Sequence, residues 1–218
     1  MTRTEIRARI EEIGIIPSVR LSSADDALFA AQAVSSGGIP IVEVTMTVPG
    51  ALRVIQELTR QSPQMIVGAG TILDMQMAQR CLDAGAAFLT SPGLDLEVME
   101  CGLKRDAVTI PGALTPTEVI AALKIGSDFV KIFPCSQVGG PSYIRALKGP
   151  FPQVPLIAAG GVNQQTVGDF VLAGAAAVGV GANLVQPDAI HSREPDRIRH
   201  LASRFVKLVT EARKSKAH

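Results

Sequence analysis

Apolar positions in this chain gather into short continuous runs, separated by longer stretches in which they recur at helical spacing. The runs are Ile15 to Arg20, Ile41 to Thr45, Ile66 to Gly70, Phe88 to Ser91, Val108 to Pro111, Phe129 to Phe133, Pro155 to Ala159 and Ala177 to Gly181. They are too short for helices, are rich in branched residues and are bounded by glycine or proline, which predicts strands. The intervening stretches predict helices over Asp25 to Ser36, Gly50 to Gln61, Asp74 to Ala84, Asp95 to Lys104, Pro116 to Lys124, Pro141 to Lys148, Gln164 to Ala173 and Pro195 to Lys214. A further helix opens the chain, where Thr2-Arg3-Thr4-Glu5 has capping-box spacing and Ile6, Ile10 and Ile13 repeat before Gly14. Thr115-Pro116-Thr117-Glu118 is an equally clear start, with a cap, a proline at the first helical position and a glutamate to close the box.

Helix after helix runs out at a small-residue turn, as at Ser36-Gly37-Gly38, Ala84-Gly85-Ala86, Ile125-Gly126-Ser127 and Ala173-Gly174-Ala175. The repeated unit is a strand followed by a helix. Because the strands are apolar throughout, both of their faces must be covered. That points to a closed parallel (β/α)8 barrel of the TIM class with an additional N-terminal helix, as one domain over residues 1–218, with an open doubly wound sheet as the second choice. Lys207 to His218 turns polar and basic and reads as a solvated helix end with a frayed tail.

Of the 218 residues, 47% are hydrophobic and 19% charged, enough for a large core. A net charge of +1 lacks the basic excess that tracks a nucleic-acid backbone or an anionic membrane, so the expected partners are small molecules or copies of the chain itself. No stretch has the length of a membrane span, and charges are scattered through Met1 to Ile10, which together give a cytoplasmic expectation. Cys81, Cys101 and Cys135 have neither metal-ligand nor disulfide-framework spacing and read as reduced thiols. His191, His200 and His218 fall in the last segment, away from every strand end, so neither a histidine-bound metal nor a cofactor is expected.

Candidate chemistry centres on Phe129-Val130-Lys131-Ile132-Phe133, closed by Pro134. Alternation puts Phe129, Lys131 and Phe133 on one face. An apolar surrounding disfavours an ammonium and so favours the free amine, the form that attacks a carbonyl carbon, as a Schiff-base lysine must. A structural lysine paired with a buried carboxylate, or one reaching out at the strand end, would look the same in sequence. Ile41, Glu43 and Thr45 share a face of the second strand, which sits opposite the sixth in an eight-stranded barrel, so Glu43 and Lys131 can converge. The alternative is an ion pair that only balances charge.

Around this pair, Thr71 places a hydroxyl at the rim, either to hold a carboxylate or to cap the turn before the next helix. Pro92 offers a rigid, donor-free wall. Ala159-Gly160-Gly161 and Gly179-Val180-Gly181-Ala182-Asn183, with a short helix expected near Asn183, present bare amides where such barrels bind phosphate, or are ordinary glycine turns. The second stretch is not a dinucleotide fingerprint, since Leu184 stands where its last glycine belongs. Arg20 ends the first strand, as a two-pronged carboxylate clamp or as a surface arginine.

These pieces stand in a familiar order: Ile15-Ile16-Pro17, Glu43-Val44-Thr45, Gly68-Ala69-Gly70-Thr71, Ser91-Pro92, Pro111-Gly112, Lys131-Ile132-Phe133-Pro134, Lys148-Gly149-Pro150-Phe151-Pro152 and Gly160-Gly161. Over nearly its whole length the chain resembles the 2-keto-3-deoxy-6-phosphogluconate (KDPG) aldolases, a family that includes 4-hydroxy-2-oxoglutarate aldolases. The resemblance implies a homotrimeric class I aldolase in which Lys131 forms the Schiff base and Glu43 moves protons. It further implies that Thr71 and an arginine hold the pyruvyl carboxylate, that Phe133 and Pro92 pack on the pyruvyl portion, and that Gly160, Gly161, Gly181 and Ala182 meet phosphate. Three positions depart from the pattern. Thr47 stands where many relatives carry arginine, which shifts the clamp to Arg20. Ala159 and Ala182 replace a threonine and a serine, which leaves mainly backbone amides for an anion.

The resulting expectation is metal-independent cleavage of a keto-deoxy sugar acid to pyruvate and an aldehyde, glyceraldehyde 3-phosphate for KDPG. Unphosphorylated or epimeric acids are the alternative substrates. A sugar-phosphate epimerase would need two facing acids or a metal set, and a non-catalytic phosphate-binding barrel would need a paired Lys131.

Overall fold

In the computed structural model, which describes residues 1–216, nine parallel strand segments carry the fold. They are β1 Ile15–Val19, β2 Ile41–Thr45, β3 Ile66–Gly70, β4 Phe88–Thr90, β5 Val108–Ile110, β6 Gly112–Ala113, β7 Val130–Ile132, β8 Leu156–Ala159 and β9 Ala177–Val180. Their hydrogen-bonded order is β5-β4-β3-β2-β1-β9-β8-β7-β6. β5 is the strand predicted over Val108 to Pro111, and β6 is a short continuation beyond that prediction, separated from β5 at Pro111, which has no N–H to give the ladder. β5 pairs with β4 and β6 with β7, while the Lys131 amide donates to the Pro111 carbonyl at 2.8 Å. The sheet thus curls round to meet itself at this proline, and eight strand positions form the expected barrel.

Among the described residues ten α-helices surround it: α1 Arg3–Ile13, α2 Ala24–Ser36, α3 Ala51–Gln61, α4 Met75–Asp83, α5 Leu96–Lys104, α6 Pro116–Lys124, α7 Pro141–Lys148, α8 Val167–Leu172, α9 Pro187–His191 and α10 Pro195–Lys216. Both predicted capping boxes form, Thr2 with Glu5 and Thr115 with Glu118. Three expectations need correction. α8 starts later than Gln164, because the Asn163 side-chain oxygen accepts from the Gln165 and Thr166 amides at 2.9 and 3.1 Å and holds those residues in a turn. Near Asn183 there is only a single turn, in which the Leu184 and Val185 amides return to the Gly181 carbonyl; the helix begins at Pro187. α10 continues to Lys216, and Arg213 folds inward to donate to the carbonyls of Glu11 at 2.6 Å and Ala176 at 3.1 Å. Burial pulls the Arg213 guanidinium below its ordinary value, with the Glu11 charge opposing. The predicted frayed tail extends to Ala217 and His218, which lie outside the described residues.

α1 matters to the site from the far end. Arg3 Nε donates to both carboxylate oxygens of the buried Asp128 at 2.9 and 3.0 Å, and Asp128 also accepts from the Thr109 amide at 2.8 Å. Asp128 lies just before β7, so these charge-assisted bonds anchor the start of the strand that carries Lys131. Among the described residues no helix is long and apolar enough to cross a membrane.

Candidate active site

A cleft of about 560 Å³ opens where the strands end. Its lining follows the two-residue alternation of parallel strands: Ile16, Ser18 and Arg20 from the first, Lys131 and Phe133 from β7 and its exit, Gly179 and Gly181 from β9 and its exit. Among the described residues only three in strands are less than fully buried, Ser18, Lys131 and Gly179, and all three line this cleft. The interior is closed below them by packing that needs glycine. A Cβ on Gly68 would lie 2.2 Å from ring atoms of the fully buried Phe88, so this strand yields its volume to a neighbour's aromatic ring.

Lys131 and Glu43 both face the cleft. Among the described residues Lys131 takes part in no ion pair; its Nζ lies 5.3 Å from the centroid of the Phe133 ring, itself 38% exposed at the mouth. Glu43 is 4% exposed and accepts from Thr90 Oγ1 at 2.8 Å on Oε2. The charge-balancing Lys131 to Glu43 pair is therefore not what the geometry shows, and the amine is left facing open space. Neither buried thiol nearby competes as a nucleophile, since burial pushes Cys81 and Cys135 up to about 11.

At the rim, Arg20 Nη2 donates to Thr71 Oγ1 at 3.3 Å, so the two residues expected to hold a carboxylate stand side by side. The competing role for Thr71 belongs to Asp74, which caps α4 by accepting from the Met77 amide at 2.7 Å. Thr47 is exposed beside them, and Met46, Leu73 and Met77 add an apolar wall. Pro92, after the neighbouring β4, also lines the cleft, held close to β6 because Gly112 has no Cβ to strike the Pro92 carbonyl. Gly160 and Gly161 have φ of 87° and 84°, the left-handed region that favours glycine. Among the described residues the amides of Gly161, Val162, Ala182 and Asn183 donate to no protein acceptor. Asn183 Nδ2 donates to the Val162 carbonyl at 2.9 Å and so ties the two glycine loops together.

The model of the KDPG and KHG aldolase family matches residues 6–201. The chain belongs to that family. It is an aldolase, a carbon-carbon lyase, and its resemblance to relatives extends over most of both chains. It is 31% identical over 192 residues to the KHG/KDPG aldolase of Escherichia coli strain K12, covering 88% of this chain and 90% of that one. Among solved structures, the KDPG aldolase of Legionella pneumophila with pyruvate captured as a covalent carbinolamine intermediate superposes with TM-score 0.84 at 31% identity, covering 90% of this chain and 96% of that one. The KDPG aldolase of Zymomonas mobilis ZM4 with 3-phosphoglycerate gives TM-score 0.85 at 26% identity, covering 94% and 97%.

The fold of this aldolase brings every predicted site residue to one cleft: Arg20, Glu43, Thr71, Pro92, Lys131, Phe133, Gly160, Gly161, Gly181 and Ala182. Sequence reasoning missed Thr90, and although it placed Asn183 in the second glycine loop it did not foresee the side-chain bond to Val162. Strand alternation with Phe88 does place Thr90 inward, but nothing local says which carboxylate its hydroxyl meets. His191 and His200 are exposed on α9 and α10, and among the described residues no group of three or more His, Cys, Asp or Glu side chains is near enough to hold a metal.

Proposed function

We propose that this aldolase cleaves KDPG to pyruvate and glyceraldehyde 3-phosphate through a Schiff base on Lys131. The observation that carries the reading is the unpaired amine of Lys131 facing a cleft that also holds the buried carboxylate of Glu43. The amine adds to the C2 ketone to give a carbinolamine, and Glu43 helps expel water to leave the iminium. Glu43 then accepts the C4 hydroxyl proton, the C3–C4 bond breaks, and its electron pair moves into the iminium to form an enamine while the aldehyde leaves. Protonation of the enamine at C3 and hydrolysis release pyruvate and the free amine. The pyruvate captured as a covalent carbinolamine in the Legionella pneumophila relative supports the carbinolamine step.

Arg20 and Thr71 would hold the pyruvyl carboxylate, and Pro92 and Phe133 would pack against the pyruvyl portion. Gly160, Gly161, Gly181 and Ala182 would meet the phosphate through backbone amides. The 3-phosphoglycerate in the Zymomonas mobilis relative supports a phosphorylated aldehyde half. A second reading, cleavage of unphosphorylated 4-hydroxy-2-oxoglutarate, is favoured by the missing hydroxyls at Ala159 and Ala182.

Borohydride reduction in the presence of pyruvate tests the mechanism without the full substrate. The protein should gain a permanent adduct that peptide mass mapping assigns to Lys131 alone. An adduct on another lysine, or none, would mean the reading is wrong. Exposed Leu73, Met75 and Leu96 lie around the starts of the adjacent α4 and α5 and suit a homotrimer; a solution mass other than three chains would rule that assembly out.

A further inference from the structure

We infer that Thr90 is a positioning residue for Glu43: it holds one carboxylate oxygen and so presents the other to the cleft. This rests on the reading of Glu43 as the proton carrier. Thr90 is the last residue of β4 and only 2% exposed, and its Oγ1 donates to Glu43 Oε2 at 2.8 Å. Oε1 has no protein partner among the described residues, yet it is not one of the fully buried unpaired oxygens, so it reaches the space of the cleft. The two oxygens are therefore unequal, one fixed and one free. A proton carrier gains from this, because a carboxylate that rotates loses the alignment on which transfer depends.

The contact is built into the barrel. A Cβ on Gly70 would lie 2.1 Å from Thr90 Oγ1 and 2.7 Å from Glu43 Cδ, so only glycine in the intervening strand leaves room for the two side chains to meet. The Thr90 backbone is held as well, its carbonyl accepting from the Ile72 amide at 2.9 Å beside the loop that carries Thr71.

The test compares the parent with Thr90→Val, Thr90→Ser, Glu43→Gln and the double variant, measuring kcat and KM for KDPG cleavage and the exchange of pyruvate methyl protons in deuterated water. A hydrogen bond to a charged group sets the expected size: Thr90→Val should lower kcat and exchange about ten- to a hundredfold, with KM close to the parent's. Thr90→Ser keeps the hydroxyl and should stay near the parent. In the Glu43→Gln background, Thr90→Val should cost nothing further, since both changes remove one device. A parental kcat for Thr90→Val, a serine variant as slow as the valine one, or a full additional loss in the double variant would each overturn the inference. If Glu43→Gln itself runs at the parental rate, the reading of Glu43 falls and the inference with it. Should Thr90→Val fail to fold, Thr90→Ala against Thr90→Ser decides the matter: serine fast and alanine slow supports positioning, and equal rates refute it.

Discussion

At the scale of single residues, the site depends as much on missing atoms as on functional groups. Gly70 shows this best, since a single methyl there would strike both Thr90 and Glu43 and force one or both to shift. Gly70→Ala should lower stability by about 1–3 kcal/mol, the usual cost of overpacking, and should lower kcat with it. Gly181 is the matched control: nothing lies within 4 Å of a Cβ placed there, and its φ is not in the left-handed region. Gly181→Ala should unfold within about 0.5 kcal/mol of the parent. Urea unfolding and steady-state cleavage check both; a Gly70→Ala variant matching the parent in each would show that Glu43 and Thr90 are not packed against residue 70.

Among the elements, α6 carries a pH-dependent contribution that follows from its N-terminus. The Glu118 carboxylate accepts from the Leu114 amide at 2.8 Å, the Thr115 hydroxyl at 2.8 Å and the Thr115 amide at 2.7 Å, and these bonds hold it below the ordinary 4.5. A carboxylate that binds its proton less readily when folded stabilises the fold fully above 4.5. That stabilisation is lost as pH falls through the lower folded value. Because Glu118 is exposed and screened by solvent, the parent should exceed Glu118→Gln by only about 0.5 kcal/mol at pH 7. The gap should close as the pH is taken below 4.5 in denaturant titrations. A gap that stays constant with pH would mean the charge plays no part in the cap.

The whole barrel decides what the aldehyde half can be, because the loops after β8 and β9 meet only when the sheet closes. Asn183 fixes one loop to the other, and the free amides of Gly161, Val162, Ala182 and Asn183 lie on those two loops. Each absent neutral hydroxyl is worth about 0.5–1.5 kcal/mol, so phosphate should be preferred here, though by less than where both hydroxyls stand. The check is kcat/KM for KDPG against that for 4-hydroxy-2-oxoglutarate, repeated after Ala159→Thr with Ala182→Ser. A higher value for the phosphorylated acid that widens in the double variant is the expected result. Equal values, or a preference for the unphosphorylated acid, would favour the second reading.

Local sequence already determined most of the barrel. Continuous apolar runs between glycine turns can be satisfied only by strands covered on both faces, and caps such as Thr115 with Glu118 act within one turn of chain. A lysine inside such a run, and a glutamate at matching depth in the strand opposite, were legible for the same reason: parity along a strand fixes the face. The tertiary structure alone decided contacts made between distant segments. The Thr90 to Glu43 bond joins residues 47 apart, Arg213 reaches a carbonyl 202 residues away, and the break at Pro111 matters only because β7 closes against it. Whether Lys131 was balanced by a carboxylate or left free belonged to the same class, since periodicity reports which face a side chain takes and never how far it stands from a partner across the barrel.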